Sequence, residues 1–587
     1  MTEIKKEAKS TKKICLKDCI FLAILVLLPF LHVCVGVEFT DTAYSLGNYE
    51  NLSDMNLTWT VATFWANYVG KLFTMLPFGD LWIGMKIYTT LVVSLTAGVS
   101  FVFLKSKIPS VIAFVSEIFA ICLCWCPTTI LYNYLTYLLF TLAVVVLVSA
   151  LEKESKAGMI VAGVILAFNV FVRFPNITEV ALITVVWTDA VINKRKFKKG
   201  FLNTLVCVGG FLLGIAVNVG IIGVMYGFES IPQMVVSLFS MTKEETSYSP
   251  VQMVIKMIRS YYQYYLKSYT IIAGISVGCF FGAALLKKQW AKITVIVAQF
   301  LLYGVFLVWA VRNSVFTFKY GEYSSIYFWG VVFLILVNSF SIWSLLRKRT
   351  EHVHKLLAMA CLVIIWITPL GSNNGLYPSF NNLFIVAPFT VYMIWAELFK
   401  GRNFSEILDL EAKNSMVSTR ITVLLLVLCI GVQGLLFGVV FVFRDTGFPF
   451  QNIERIEGNE RLKGMHTNSE RKALIEELSD FVANNNLEGK KAVFYGGIPG
   501  LEYILKMPCA ISHTWPDLGS FTFEEFKDDI DKLDYTPVIF VNNENISDIF
   551  NPDANFSDKD CYLSNFMESN EYKLAVRIQN IEVYITN

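Results

Sequence analysis

The chain has 587 residues, 55% of them hydrophobic, with a mean hydropathy of +0.54. That excludes an ordinary soluble globular protein and predicts a polytopic α-helical membrane protein. The net charge of +2 conceals two unlike parts: from Arg444 onward stand 14 Lys and Arg against 25 Asp and Glu, and before it 35 against 22. The membrane part is basic, and the acidic tail has no basic patch, so no nucleic-acid partner is expected.

The chain opens on a basic leader (Lys5, Lys6, Lys9, Lys12, Lys13, Lys17) and an apolar run at 19–37. No small-x-small cleavage site precedes the polar loop that follows, so the run reads as a retained spanning helix. A span needs about 20 apolar residues. Further runs stand at 84–104, 108–126, 130–150, 158–173, 177–192, 201–226, 269–286, 291–311, 324–345, 354–370, 382–399 and 420–443, which makes about 13 transmembrane helices. The runs 158–173 and 177–192 are short and read as a broken or tilted pair. Gly210 and Gly214 have the spacing of a close helix contact.

Basic residues follow every second span: Lys105 and Lys107, Lys153 and Lys156, Lys194 to Lys199, Lys287 and Lys288, Arg347 to Arg349, and Lys400 with Arg402. Loops 127–131 and 371–381 carry none. The bias places the N-terminus in the cytoplasm. An odd number of spans then puts loop 38–83 and the tail on the extracytoplasmic face of a cell membrane. Two loops on that face are long. Loop 38–83 carries Trp59, Phe64, Trp65, Tyr68 and Phe73, and loop 227–268 carries Met257, Tyr261, Tyr262, Tyr264 and Tyr265, so both suit interfacial helices. Membrane anchoring by these aromatic stripes is the plainer alternative to substrate contact.

The expected division is a membrane domain at 1–443 and an α/β domain at 444–587. In the tail, 469–486 reads as a helix capped by Asn468 or Ser469, with Gly489 past its end. Strands are expected at 491–496 and 537–542, helices at 523–533 and 558–569, and a closing hairpin at 572–578 and 581–585. No phosphate loop, metal spacing or nucleophile motif occurs there, and His513 stands alone. Cys122, Cys124 and Cys126 alternate in an apolar run and read as small filler. Cys509 and Cys561 fall in the tail, where they could pair if it is extracytoplasmic.

The chemistry-bearing stretch is the polar loop after the first run. Glu38 and Asp41 stand three apart, which puts them on one face if the helix continues. Carboxylates beside hydrocarbon are exposed, paired or functional. Other pointed positions are Arg173, at the end of a run, Lys319 between two runs, Lys86 near a run's start, and the turn Asn373, Asn374, Tyr377. Arg173 also reads as ordinary snorkelling, and the asparagine segment as a plain turn.

About 13 spans, an acidic first outer loop and an outer α/β tail resemble the GT-C superfamily of membrane glycosyltransferases, which use polyprenyl-phosphate sugars. Protein mannosyltransferases and aminoarabinose transferases are among them. Val37-Glu-Phe-Thr-Asp-Thr-Ala-Tyr-Ser-Leu is similar to the family's acidic motif, and Leu131-Tyr-Asn-Tyr-Leu-Thr and Phe171-Val-Arg-Phe-Pro-Asn to recurrent segments. The motif departs from the usual Asp-Glu or Glu-x-Asp form, since Thr42 follows Asp41 and Glu38 lies one residue too far away. The resemblance implies a glycosyltransferase moving a hexosyl or pentosyl group from a lipid-linked donor to a glycan, lipid or protein acceptor. Asp41 is the expected base, with Glu38 beside it. Arg173, Lys319 and Lys86 are expected on the donor phosphate, and Tyr44, Asn373, Asn374 and Tyr377 on sugar or acceptor. No metal ligands are assigned. A divalent cation lacks a clear second carboxylate.

Competing readings are a transporter or flippase, a surface-glycan polymerase or ligase, and a scaffold whose tail binds a partner. A transporter predicts charges buried in mid-membrane, for which Glu117 and Glu179 are the positions to watch.

Overall fold

The computed structural model describes residues 16–241, 250–264, 289–372, 374–400, 415–445, 452–543 and 557–586. Asn373, the run 269–286, Lys287, Lys288, Arg402 and most of the basic leader lie outside the described residues.

Among the described residues, seven helices are long and apolar enough to cross a membrane: Trp82–Leu104, Leu131–Glu152, Phe174–Ile192, Phe197–Tyr226, Ile293–Arg312, Tyr323–Leu346 and Arg420–Val440. Shorter apolar helices, among them Ser110–Leu123, Lys156–Val170, His352–Ile367 and Val386–Leu398, stand between them. The chain is a multi-pass membrane protein, and among the described residues some of the apolar runs fold as full-length helices and others as shorter ones. The pair expected to be broken is irregular: Lys156–Val170 is α-helical, but its successor opens as a 3-10 helix, Phe174–Ile183, before Thr184–Ile192. Helix Lys156–Val170 packs on Phe197–Tyr226, where a Cβ at Gly163, Gly210 or Gly214 would collide with the facing helix.

The first run departs most from expectation. Its helix, Leu16–Leu27, stops before Pro29, which lacks an amide proton and crowds the preceding turn. A short 3-10 turn, Leu28–Phe30, follows, and then non-helical backbone. Such backbone needs protein partners when it is buried. His466 O accepts from Gly36 N (2.9 Å), and His466 N donates to Cys34 O (2.8 Å). Lys86 Nζ donates to Val35 O at 2.7 Å. Asp445 Oδ2 accepts from Val37 N at 2.9 Å, and Arg471 Nη1 donates to Val37 O at 2.6 Å.

Loop 38–83 folds into three helices, Asp41–Glu50, Leu57–Ala62 and Phe64–Thr74. Loop 227–268 holds Ser230–Met241 and Pro250–Tyr264. The latter lays Tyr261 on Trp366 (5.3 Å between centroids) and Tyr264 on Tyr327 (5.2 Å).

The tail forms a two-stranded pair, β1 (Ile453–Arg455) with β2 (His466–Asn468), and a four-stranded sheet. The sheet holds β3 (Ala492–Tyr495), β4 (Val538–Asn542), β5 (Lys573–Ile578) and β6 (Ile581–Ile585) in the order β3-β4-β6-β5. Only β3 and β4 run parallel. The helices Ser469–Asn484, Phe523–Asp531 and Asp558–Ser569 begin where capping side chains stand: Asn468, Thr522 with Glu525, and Ser557 with Asp560. Cys509 is buried and Cys561 exposed, and both are free thiols, so the suggested pairing is absent. The tail seats on the first loop through Asn56 N to Ser512 O (2.8 Å), Trp82 N to Arg461 O (2.9 Å) and Gly500 N to Phe39 O (2.8 Å).

Candidate active site

Glu38 and Asp41 do not share a helical face. The helix begins at Asp41, and Glu38 precedes it. The first amides of a helix have no partner within it, and Glu38 folds back to satisfy them. It accepts from Thr40 N at 2.6 Å, and also from Thr40 Oγ1 and Thr42 N. Glu38 is buried, and each of its oxygens is bonded to this turn. It is bonded to the turn that starts the helix, which corrects the expectation that the two carboxylates share one helical face.

Asp41 is left as the available acid. Its side chain keeps 30% exposure and pairs with Arg444, Nη2 to Oδ2 at 3.2 Å. Desolvation, opposed by Arg444 and assisted by Glu38, raises its pKa from 3.8 to about 6. A carboxyl that is both desolvated and partly open lies in a recess rather than on a convex surface.

Arg444 also donates to Thr40 Oγ1 and lies over the Phe443 ring at 5.6 Å. From there a chain of contacts runs round the recess. Phe443 meets Trp125 (5.5 Å), and Trp125 meets Tyr377 (5.7 Å) and Tyr323 (5.3 Å). Tyr377 closes the turn whose Gly371 carbonyl accepts from Arg173 Nη2 at 2.9 Å. Arg173 lies over Tyr132 at 5.8 Å, and the Tyr132 hydroxyl is within electrostatic reach of Asp41, Arg173 and Tyr44. A small hollow lined by His32, Trp125, Cys126 and Phe443 adjoins this chain of contacts.

Arg173 stands at the other end of this chain of contacts from Asp41 and has no ion pair among the described residues. Its main chain is fixed by Asn169 O and Asn176 N, and below it Asn169 donates to Glu179 at 2.7 Å while Asn176 donates to Thr136 Oγ1 at 2.7 Å. Glu179 is thus a buried, bonded support. Tyr377 joins this chain of contacts, and Tyr44 lies one helical turn from Asp41. Lys86 is not at the recess surface: it is buried, and its ammonium is bonded to the Val35 carbonyl. Lys319 and Asn374 are exposed on loops, and no described contact ties either to Asp41 or Arg173. Asn373 lies outside the described residues.

His513 is not alone. It is buried against Tyr44 (5.5 Å), Trp59 (5.9 Å) and Phe521 (4.8 Å), with its Nε2 at 3.3 Å from the Tyr44 hydroxyl. Desolvation, with Lys559 nearby, pushes its pKa down to about 3. Arg444, Trp125 and Tyr132 were missed as site residues. Arg444 had a readable signal, since it is a lone arginine just past the end of the last apolar run, the same placement that drew attention to Arg173.

No family model matches the chain, and no curated protein matches it. Among solved structures it is similar to the Archaeoglobus fulgidus oligosaccharyltransferase, at 12% identity and TM-score 0.46 over 89% of this chain and 68% of that one. It is also similar to ArnT from Cupriavidus metallidurans, at 11% identity and TM-score 0.39 over 96% and 97%. Both of those neighbours are GT-C superfamily membrane glycosyltransferases.

Proposed function

We propose that this membrane protein is an inverting glycosyltransferase, moving a sugar from a polyprenyl-phosphate donor to an acceptor hydroxyl on the extracytoplasmic face. The observation that carries the reading is one chain of contacts running from a half-open carboxyl, Asp41, through Arg444 and an aromatic wall to the turn that holds Arg173. A carboxyl with a pKa of about 6 is ionised at neutral pH and basic enough to take a hydroxyl proton as the nucleophile attacks. Arg173, with a single carbonyl acceptor, suits the donor phosphate. Trp125, Tyr323 and Tyr377 offer flat apolar faces to a sugar ring or the first isoprene units. One base and direct displacement give inversion at the anomeric carbon.

Asp41→Asn keeps the shape of the site and removes the base. Transfer from a polyprenyl-phosphate sugar should fall by about 10³-fold or more, with expression and thermal midpoint unchanged. Near-wild-type turnover would exclude Asp41 as the base, and a wild-type chain that transfers nothing from polyprenyl-phosphate sugars would sink the reading.

A transporter reading has one observation in its favour: Glu117 is fully buried in the bundle with both carboxylate oxygens unpartnered among the described residues. Substrate accumulation in sealed vesicles that survives Asp41→Asn and is lost in Glu117→Gln would favour it.

A further inference from the structure

We propose that Arg444 is shared between the base and the leaving group: it holds Asp41 ionised before transfer and is passed to the donor phosphate as the sugar leaves. This rests on the glycosyl-transfer reading above and assigns a role to a residue outside the expected phosphate clamp.

The geometry separates a fixed main chain from a free side chain. Arg444 has a left-handed backbone, φ +49°, a conformation that needs outside support in a residue with a Cβ. Support comes from the tail: Arg471 Nη1 donates to the Arg444 carbonyl at 2.8 Å and stands 3.5 Å from Asp445 Oδ1. Asp445 is itself buried and accepts from Val37 N (2.9 Å), Thr467 Oγ1 (2.7 Å) and Asn468 Nδ2 (2.9 Å). The Arg444 guanidinium, in contrast, is 38% exposed, rests on the Phe443 ring and reaches Asp41 and Thr40. Its five donors exceed what those two partners can use.

The charge balance of the reaction supplies the reason for a shared cation. The acceptor O–H proton passes to Asp41, the new bond from acceptor oxygen to the anomeric carbon forms, and the anomeric carbon–phosphate oxygen bond breaks with its electron pair left on phosphate. Asp41 loses its negative charge, and the phosphate goes from a monoanionic diester to a dianionic monoester. The total charge is unchanged, but one negative charge has moved across the site. A guanidinium able to reach both ends follows that charge without any ion entering or leaving. Arg173, tied to the Gly371 carbonyl and Tyr132 and with no contact to Asp41, cannot do this.

Among the described residues the charged groups bearing on Asp41 are Glu38 on its own loop and Arg444 from the segment after the last long helix, with the Tyr132 hydroxyl of the helix Leu131–Glu152 within electrostatic reach. Of these, Arg444 is the one that favours the ionised form. The test is the pH profile of kcat/KM together with inhibition by polyprenyl phosphate, measured on the full chain in Arg444→Gln and Arg444→Lys. In Arg444→Gln the acid limb should move up by roughly half a pH unit or more, as the stabilising cation is gone. Inhibition by polyprenyl phosphate should weaken about 10-fold, with the donor KM changed by less than about 3-fold. Arg444→Lys should hold the limb near the wild-type position and weaken product inhibition by an intermediate factor. It also serves if the glutamine variant does not fold. Product inhibition unchanged in every variant that folds, or an unmoved limb in Arg444→Gln, overturns the proposal. Wild type and Asp41→Asn separate the two levels: no transfer by the wild type from polyprenyl-phosphate sugars sinks the transferase reading, continued transfer by Asp41→Asn removes Asp41 as the base and the shared cation with it, and a dead Asp41→Asn beside an unaltered Arg444→Gln removes only the shared cation.

Discussion

The two ends of the helix bundle treat charge differently. At one end several basic loop residues are held in ion pairs. Lys107 meets Glu152 (2.7 Å), Lys105 meets Asp18 (3.4 Å) and Arg195 meets Glu154 (2.6 Å). Asp189, with 1% of its side chain exposed, holds Arg195 (2.9 Å), His352 (2.8 Å) and Asn193 (2.8 Å) at once. At the other end Arg173 has one carbonyl and a ring, and Asp41 and Arg444 share one half-open pair. Charges used for structure have their partners inside the protein. Charges left short of partners around a recess are positioned to receive a charged ligand.

Breaking each end should give a different kind of loss. Asp189→Ala leaves Arg195 with Glu154 as its remaining ion-pair partner and deprives His352 and Asn193 of their shared acceptor, and should cost about 1–3 kcal/mol of stability, read as a lower unfolding midpoint in detergent. The acid limb of the activity profile should not move. Arg173→Ala removes a cation with no structural ion pair. Donor kcat/KM should fall by about 100-fold, with the midpoint shifted little. If Arg173→Ala instead unfolds the chain while turnover per folded molecule persists, the contrast between the ends is wrong.

How much of this could be read in the residues depended on whether the causes were local. The tail helices were legible because their caps lie within three residues of their starts: Asn468, Thr522 and Ser557 stop the chain and satisfy its first amides. The GxxxG contact was legible for the same reason, since the small residues themselves set the approach. The end of the first helix was half legible. Pro29 gave the signal, but apolar residues on both sides masked it, and the partners that allow unwound backbone there, Asp445, His466 and Arg471, come from the far end of the chain. Glu38 was misplaced because three-residue spacing was read on a helix that does not continue. Arg444 read as a boundary marker because its target, Asp41, is remote in sequence.

A third region sharpens the comparison, because it holds an acid in the opposite condition to Asp41. Glu502 is buried where the tail meets the helix Asp41–Glu50, so close to Gly47 that a Cβ there would strike its carboxylate. One oxygen accepts from Asn51 Nδ2 at 2.6 Å and Cys509 N at 3.3 Å, and the other has no partner among the described residues. Desolvation, with Glu50 and Asp54 adding to it against those two donors, raises its pKa from 4.5 to about 8. Between those values the folded chain keeps a proton that the unfolded chain releases. The folded state therefore binds more protons, and stability falls as pH rises through the window, with the full loss above about 8. Glu502→Gln removes the titration. Its unfolding midpoint should match that of the wild type near pH 5 and exceed it by several degrees near pH 9. The difference should be roughly 2 kcal/mol, because water admitted to the seam on ionisation relieves part of the desolvation. Asp41 is present in both chains, so its own titration between 3.8 and about 6 cancels from the comparison. Parallel melting curves for wild type and Glu502→Gln across that range would mean that the seam is already wet, and that closed and open charge in this molecule differ less than the geometry indicates.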